Sequence, residues 1–130
     1  MSLDISRFHQ VFIDEAIEHI NALESLALKL DPAKPQAEEL NAIFRAAHSI
    51  KGGAATFGFE GLAQLTHALE TVLDQVRNQT MAVTDDLIKL LLTATDCLRA
   101  HVASLQGGQT IDQEIEAKVL EQLQRAGGAE

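Results

Sequence analysis

The sequence between residues 46 and 53, Ala-Ala-His-Ser-Ile-Lys-Gly-Gly, combines residue types that can act together on a charged group. In a helix, residues three and four positions apart lie on one surface, so His48 would lie beside Lys51 and Gly52. A neutral imidazole is a nucleophile, an ammonium offsets negative charge, and glycine leaves the space beside the ring free. This is what a histidine needs if its ring is to enter the active site of another protein and carry a phosphoryl group.

The two adjacent glycines, Gly52 and Gly53, lie inside a predicted helix and need an explanation there. Each costs about 0.5–1 kcal/mol relative to alanine in a helix interior. Close approach of two helices would account for them, and so would clearance for a partner that docks beside His48. The residues alone leave both explanations open. We expect the second, which makes Gly52 and Gly53 part of a partner surface.

Composition and charge narrow the classes of function. The chain has 130 residues, no Trp or Tyr, and a formal net charge of −9. This charge argues against nucleic acid and anionic membranes as partners, since both attract clustered Lys and Arg. The single cysteine, Cys97, rules out an internal disulfide and fits a reducing compartment. With no signal peptide and no apolar run of the roughly 20 residues that cross a bilayer, we expect a cytoplasmic protein without membrane insertion.

Apolar residues recur with the period of a helix along almost the whole chain. The pattern predicts five helices, at about 4–30, 36–57, 62–78, 84–105 and 112–125. The prolines within 31–35 end the first helix, and glycines in 58–61 and 107–108 mark the ends of later helices. Thr84, followed by two aspartates, is typical of an N-cap with acids in the first turn.

Long amphipathic helices joined by a few residues place sequential helices antiparallel. We therefore predict an all-α fold: an antiparallel up-down four-helix bundle with an additional C-terminal helix. The domain would cover residues 1–126. The tail 127–130, Gly-Gly-Ala-Glu, is typical of the start of a linker, so we expect the chain to be an N-terminal fragment of a larger protein.

The helical wheel places His48 on the flank of the apolar stripe of the second helix. Glu70 lies on the equivalent flank of the third helix. A tight turn between the two helices brings such flanks together, so the Glu70 carboxylate could accept the Nδ1–H of His48. This bond would fix the ring tautomer and direct the Nε2 lone pair to solvent. His67 falls almost opposite the core, so the wheel links it to His48 less securely.

Two blocks of the sequence resemble the histidine phosphotransfer (HPt) domains at the N-terminus of chemotaxis histidine kinases of the CheA family. Residues 40–53 contain the family's phosphorylation motif, His-x-x-Lys-Gly, from His48 to Gly52. Residues 66–77 begin Thr-His-x-x-Glu and resemble the family's supporting segment on the next helix. The opening residues 8–16 fit as well. Ala55 departs from the pattern, because close relatives often have a third glycine there.

The resemblance implies that His48 is phosphorylated and that Glu70, Lys51 and His67 form its hydrogen-bonding surround. It implies as partners an ATP-binding kinase domain of the same protein, acting in trans within a dimer, and the response regulators CheY and CheB. ATP would be bound by the kinase domain, so we expect no cofactor and no metal here. The chain also lacks a Gly-rich nucleotide loop and a Walker lysine. It would carry phosphoryl groups, and its parent protein would be the histidine kinase.

Three other interpretations are weighed against this one. A freestanding or hybrid-kinase HPt protein outside chemotaxis would share the same site. A helical adaptor, in which His48 is incidental, would keep its behaviour in a His48→Gln variant. A di-iron helical bundle uses inward-facing Glu-x-x-His ligands, whereas this chain has the reverse order, His67-x-x-Glu70.

Overall fold

Five helices make up the regular structure of the computed structural model, which describes residues 5–107 and 110–128. They are α1 (Ile5–Lys29), α2 (Ala37–Thr56), α3 (Glu60–Arg77), α4 (Asp85–Leu105) and α5 (Gln113–Ala126). The described residues contain no strand. The predicted helix ends agree with these bounds to within one or two residues, apart from the predicted start at Asp4, which lies outside the described residues.

Local side-chain chemistry explains where several helices begin and turn. The Thr84 side chain accepts a hydrogen bond from the backbone N–H of Leu87, which makes it the N-cap of α4, as predicted. Asp112 caps α5 in the same way by accepting from the N–H groups of Glu114 and Ile115. Gly58 has a φ of +76°, a conformation that favours glycine, and it reverses the chain between α2 and α3.

The first four helices form a closed ring in which each packs on its neighbours. In the described residues, α1 packs closely on α2 and α4, α3 packs closely on α2 and α4, and the backbones of diagonal pairs stay apart. Contacts between α2 and α3 run in opposite directions along the two helices, because Phe44 meets Arg77 whereas Lys51 meets Glu70. The fifth helix lies against α3 and α4. The predicted all-α architecture, a four-helix bundle with an added C-terminal helix, is confirmed.

Aliphatic side chains fill the space between the helices. Their burial supplies most of the driving force for folding, since each fully buried Leu or Ile contributes about 1.5–3 kcal/mol of transfer free energy. The largest fully buried side chains include Ile20, Ile43, Ile50, Leu62, Leu65, Leu69, Leu73, Leu98 and Leu123. All five helices contribute to this core, and the exposed flank of α2 carries His48.

The C-terminal end of the described chain is packed against the bundle. The Gln75 side chain donates a hydrogen bond of 2.6 Å to the carbonyl of Gly127. A Cβ added to Gly127 would lie 3.3 Å from the Thr71 side chain, so the chain approaches α3 closely there. Residues 129–130 of the expected linker lie outside the described residues, and the boundary at residue 126 stays a prediction. No helix in the described part of the chain is long and apolar enough to cross a membrane.

Candidate functional site

His48 stands on the exposed flank of α2 and is held from α3. Its side chain is 61% exposed, and its Nδ1 lies 2.5 Å from Oε2 of Glu70. An ionised carboxylate can only accept hydrogen bonds, so Nδ1 carries the ring proton. In the neutral ring the other nitrogen, Nε2, then keeps its lone pair and is free to act as a nucleophile.

Lys51 holds the second oxygen of the same carboxylate. Its Nζ donates to Oε1 of Glu70 over 2.6 Å, while the Glu70 side chain is only 13% exposed. Burial raises the pKa of Glu70, but the hydrogen bonds and charges of Lys51 and His48 outweigh it and lower the pKa below 4.5. Glu70 is therefore ionised near neutral pH. The structure brings together these three residues of the sequence prediction.

On the side of His48 away from Lys51, Phe44 contacts the His48 ring, and Arg77 contacts Phe44. The Phe44 and His48 rings are nearly parallel, with an interplanar angle of 10° and centroids 6.0 Å apart. The guanidinium carbon of Arg77 lies 3.8 Å from the Phe44 ring centroid, and its Nη2 is 2.6 Å from Oδ1 of Asp74. From the sequence we expect Phe44 in the apolar core stripe of α2 and not in the site; the structure leaves it only partly buried. Its position one helical turn before His48 was the available signal.

The two glycines of α2 have different surroundings. A Cβ added to Gly52 would meet no atom within 4 Å, so the space beside His48 is open there. A Cβ on Gly53 would fall 2.5 Å from two ring atoms of Phe12. Close approach of α1 therefore accounts for Gly53, and clearance remains the explanation for Gly52. That both glycines form a partner surface stays a prediction.

His67 lies apart from the hydrogen bonds that join His48, Lys51 and Glu70. Its side chain is exposed and, with Gln124 and Gly127, lines a groove between α3 and α5. Apart from the backbone hydrogen bonds of α3, its carbonyl accepts a hydrogen bond from the Thr71 hydroxyl, and its described side chain makes none. The supporting hydrogen bond that the resemblance implies for the His67 side chain stays a prediction.

An apolar groove of about 490 Å³ runs between α1 and α2 beside the site; we call it the α1–α2 groove. It is lined by Phe8, Val11, Phe12, Glu15, Ala16, His19, Ser49, Gly53, Thr56 and Phe57. Phe8 and Val11 are 50% and 53% exposed, which is unusual for large apolar side chains. Ser49, which lines the groove, follows His48 in the chain and lies about 100° around the helix from it.

A second histidine–glutamate pair, which sequence reasoning missed, joins α4 to α5. His101 Nδ1 lies 2.7 Å from Oε2 of Glu116, and the His101 side chain is only 7% exposed. The pair therefore has the hydrogen bond of the His48 site without its access to solvent. In the described part of the chain, no group of three or more His, Cys, Asp or Glu side chains could hold a metal ion.

Known proteins have sequences similar to this chain. Residues 7–126 match the family model of the Hpt domain. The chain is 48% identical to the chemotaxis protein CheA of Klebsiella aerogenes over 114 residues and 46% identical to CheA of Salmonella typhimurium over 112 residues. These alignments cover 88% and 86% of the chain but only 18% and 17% of the relatives, so the chain spans less than a fifth of their length.

Solved structures agree in fold. The solution structure of the histidine phosphotransfer domain of CheA has a TM-score of 0.71 at 31% identity, covering 87% of this chain and 89% of that one. The crystal structure of the phosphorylated P1 domain of CheA3 in complex with CheY6 from R. sphaeroides has a TM-score of 0.82 at 22% identity, covering 94% and 96% of the two chains. At that identity the second likeness concerns the fold. Because the family model spans nearly the whole bundle, including His48 and Glu70, this chain belongs to the Hpt domain family.

Proposed function

We propose that this chain is the phosphotransfer domain of a chemotaxis histidine kinase. His48 takes the γ-phosphoryl group of ATP from a separate kinase domain and passes it to an aspartate of a response-regulator receiver. The observation that carries the proposal is the exposed His48 ring with its Nδ1–H held by an ionised Glu70. The similarity to CheA over most of the chain supports the chemotaxis context.

In the first step, the Nε2 lone pair attacks the γ-phosphorus, and the bond between that phosphorus and the bridging oxygen of ADP breaks. Positive charge develops on the ring as the N–P bond forms, and the Glu70 carboxylate stabilises it through the Nδ1–H. Phosphoryl transfer depends mainly on positioning and electrostatics, so an exposed and correctly held ring is the main contribution required of this domain.

Lys51 acts first through Glu70. Its ammonium is bound to the carboxylate over 2.6 Å, which keeps Glu70 ionised and therefore able to hold the ring proton. With its side chain 26% exposed, the same ammonium lies at the edge of the site and offsets charge on an incoming phosphoryl group. One cation thus contributes both to the orientation of His48 and to the electrostatics of transfer.

In the second step, a carboxylate oxygen of the receiver attacks the phosphorus, the N–P bond breaks, and the imidazole returns to its neutral form. We place the receiver on the α1–α2 groove, because its exposed apolar side chains Phe8 and Val11 share the groove with Ser49, the α2 residue that follows His48. The proposed receivers are CheY- and CheB-like, and the proposed kinase domain belongs to the same protein and acts in trans within a dimer. A cytoplasmic location follows from these partners.

The test is incubation of the domain with labelled ATP and a kinase core, comparing the wild type with His48→Gln. We expect acid-labile, alkali-stable phosphate on the wild type only, and loss of the label when a receiver is added. The matched control is His101→Gln, which changes the buried histidine of the other histidine–glutamate pair and should still be labelled. Label on His48→Gln, or none on the wild type with a kinase core that labels another phosphotransfer domain, would overturn the proposal.

A further inference from the structure

Glu70 alone does not determine the direction of the His48 ring. One hydrogen bond at Nδ1 fixes the tautomer, but a ring that is 61% exposed can still rock about that bond. Rocking moves Nε2, which is the reacting atom. A displacement of about 1 Å at a reacting atom can slow a reaction by about a hundredfold, so a second contact on the ring has kinetic consequences.

Phe44 supplies such a contact. Its ring lies nearly parallel to the imidazole, 10° apart in plane and 6.0 Å apart in centroid, which is the offset stacking that aromatic rings favour. The two residues are four positions apart on α2, so their side chains meet on one face of the helix. Phe44 is itself only partly buried, and its ring needs a partner to hold its plane.

Arg77 holds the Phe44 ring from α3. The guanidinium carbon lies 3.8 Å from the ring centroid, a cation–π contact, and Asp74 orients the guanidinium through an ion pair of 2.6 Å. The helix that carries Glu70 therefore acts on His48 twice: directly through the carboxylate, and indirectly through Arg77 and Phe44. Asp74 and Arg77 lie one and two turns after Glu70 on α3, in line with Phe44 one turn before His48 on α2.

We propose that Phe44 and Arg77 are positioning residues for phosphoryl transfer: together they fix the plane of the His48 ring so that Nε2 stays directed to solvent. The kinetic half of this inference rests on the proposed function, whereas the effect on ring order does not. Both partners of the Arg77–Asp74 pair are about a third or more exposed, and such surface pairs contribute little to stability. Removing the arginine should therefore change the ring and the rate far more than the fold.

The test compares Phe44→Leu and Arg77→Gln with Phe44→Tyr, which keeps the aromatic face. Arg99→Gln is the matched control, because Arg99 makes a similar surface ion pair with Glu24 between α1 and α4, away from the site. The first measurement is the order parameter of the His48 Cε1–H bond from ¹³C relaxation, on the unphosphorylated domain. The second is the rate of phosphorylation by a saturating kinase core, together with the apparent KM for that core.

We expect Phe44→Leu and Arg77→Gln to lower the order parameter and to lower the rate about fivefold at unchanged KM, the size of effect that one aromatic contact supports. Phe44→Tyr should restore both values, and Arg99→Gln should change neither. An unchanged order parameter in both variants, or a lowered one at wild-type rate, overturns the inference. A wild type that takes no phosphate would overturn the proposed function instead, while the order parameters would still decide whether the stack holds the ring.

Discussion

Glu70 uses both of its carboxylate oxygens, one for the Nδ1–H of His48 and one for the ammonium of Lys51. This residue therefore connects His48, the proposed nucleophile, to the Lys51 cation. Without it, either ring nitrogen of His48 could carry the proton, and the ring would lose its main tether. The tautomer of His48 thus depends on one side chain from the neighbouring helix.

Replacing Glu70 with alanine should slow phosphorylation of His48 by about tenfold or more while leaving the helical fold intact. The reason is the loss of the group that fixes the tautomer and stabilises charge on the ring. Phosphorylation rate and circular dichroism are the measurements. Glu116→Ala, which removes the carboxylate of the buried pair, is the control for a general effect of losing a histidine-bound glutamate. Equal rates for Glu70→Ala and the wild type would refute the orienting role.

The lowered pKa of Glu70 also makes stability depend on pH in a defined direction. The pKa of this carboxyl is 4.5 in the unfolded chain and lower in the folded state, so folding favours its ionised form. The ionised Glu70 therefore contributes its full stabilisation above pH 4.5. This stabilisation is lost as the pH falls through the lower pKa of the folded state. The difference in free energy of unfolding between the wild type and Glu70→Gln should shrink over this range. Urea unfolding from about pH 7 to about pH 3 measures it, and a difference that grows on acidification would contradict the assignment.

At the scale of elements, α2 packs on two neighbouring helices, α1 and α3. Gly53 allows the Phe12 ring of α1 to approach the α2 backbone, while Gly52, one residue earlier in the helix, faces open space. The same helix turns the flank with His48 toward α3. Gly53 thus belongs to the contact of α2 with α1, and Gly52 belongs to the open surface beside His48.

Alanine substitutions at the two glycines should change stability in opposite directions. Gly52→Ala should stabilise the domain by about 0.5–1 kcal/mol, because alanine has a higher helix propensity than glycine and the new methyl group would contact no other atom. Gly53→Ala should destabilise it by about 1–3 kcal/mol, because the buried Phe12 ring must move. Urea unfolding of both variants is the measurement, and each is the control for the other. Equal effects of the two substitutions would rule out the assigned contact.

The elements and the central contact could be predicted from the sequence, but the finer geometry could not. The apolar period fixes which face of α2 and α3 is buried, and that was enough to predict the contact of Glu70 with His48. A helical wheel gives neither the distances between helices nor the planes of rings. It therefore could not predict the close approach of Phe12 to Gly53 or the stacking of Phe44 on His48. The pairing of His101 with Glu116 depends on where α5 lies, which periodicity does not determine.

At the scale of the whole molecule, α4 and α5 bury a thiol that the site does not use. Cys97 lies on α4, only 8% exposed, and burial together with the nearby Glu116 charge raises its pKa to about 11. The sequence suggests a small core residue at this position, and the structure places it in the core cluster. Its reactivity can therefore report on the integrity of the bundle.

Alkylation of Cys97 at about pH 8 should be at least about a hundredfold slower in the folded domain than in the unfolded chain, because the shift from 9.0 to about 11 lowers the thiolate fraction by that factor. Burial slows it further. Mass spectrometry after iodoacetamide treatment, with and without guanidinium, measures both rates. A folded-state rate within tenfold of the unfolded one would show that α4 and α5 open readily.

The ring arrangement of the helices also has a practical consequence for handling the domain. Helix α2, with His48, packs only on α1 and α3 in the described residues, and α5 lies on the other side of α3. A fluorophore or an immobilisation tag attached to an exposed position of α5, such as Ala117, would lie on a helix that does not pack on α2, which carries His48. Because the chain has no Trp or Tyr, the domain itself would add little emission, and binding of a kinase or receiver could be followed from that label.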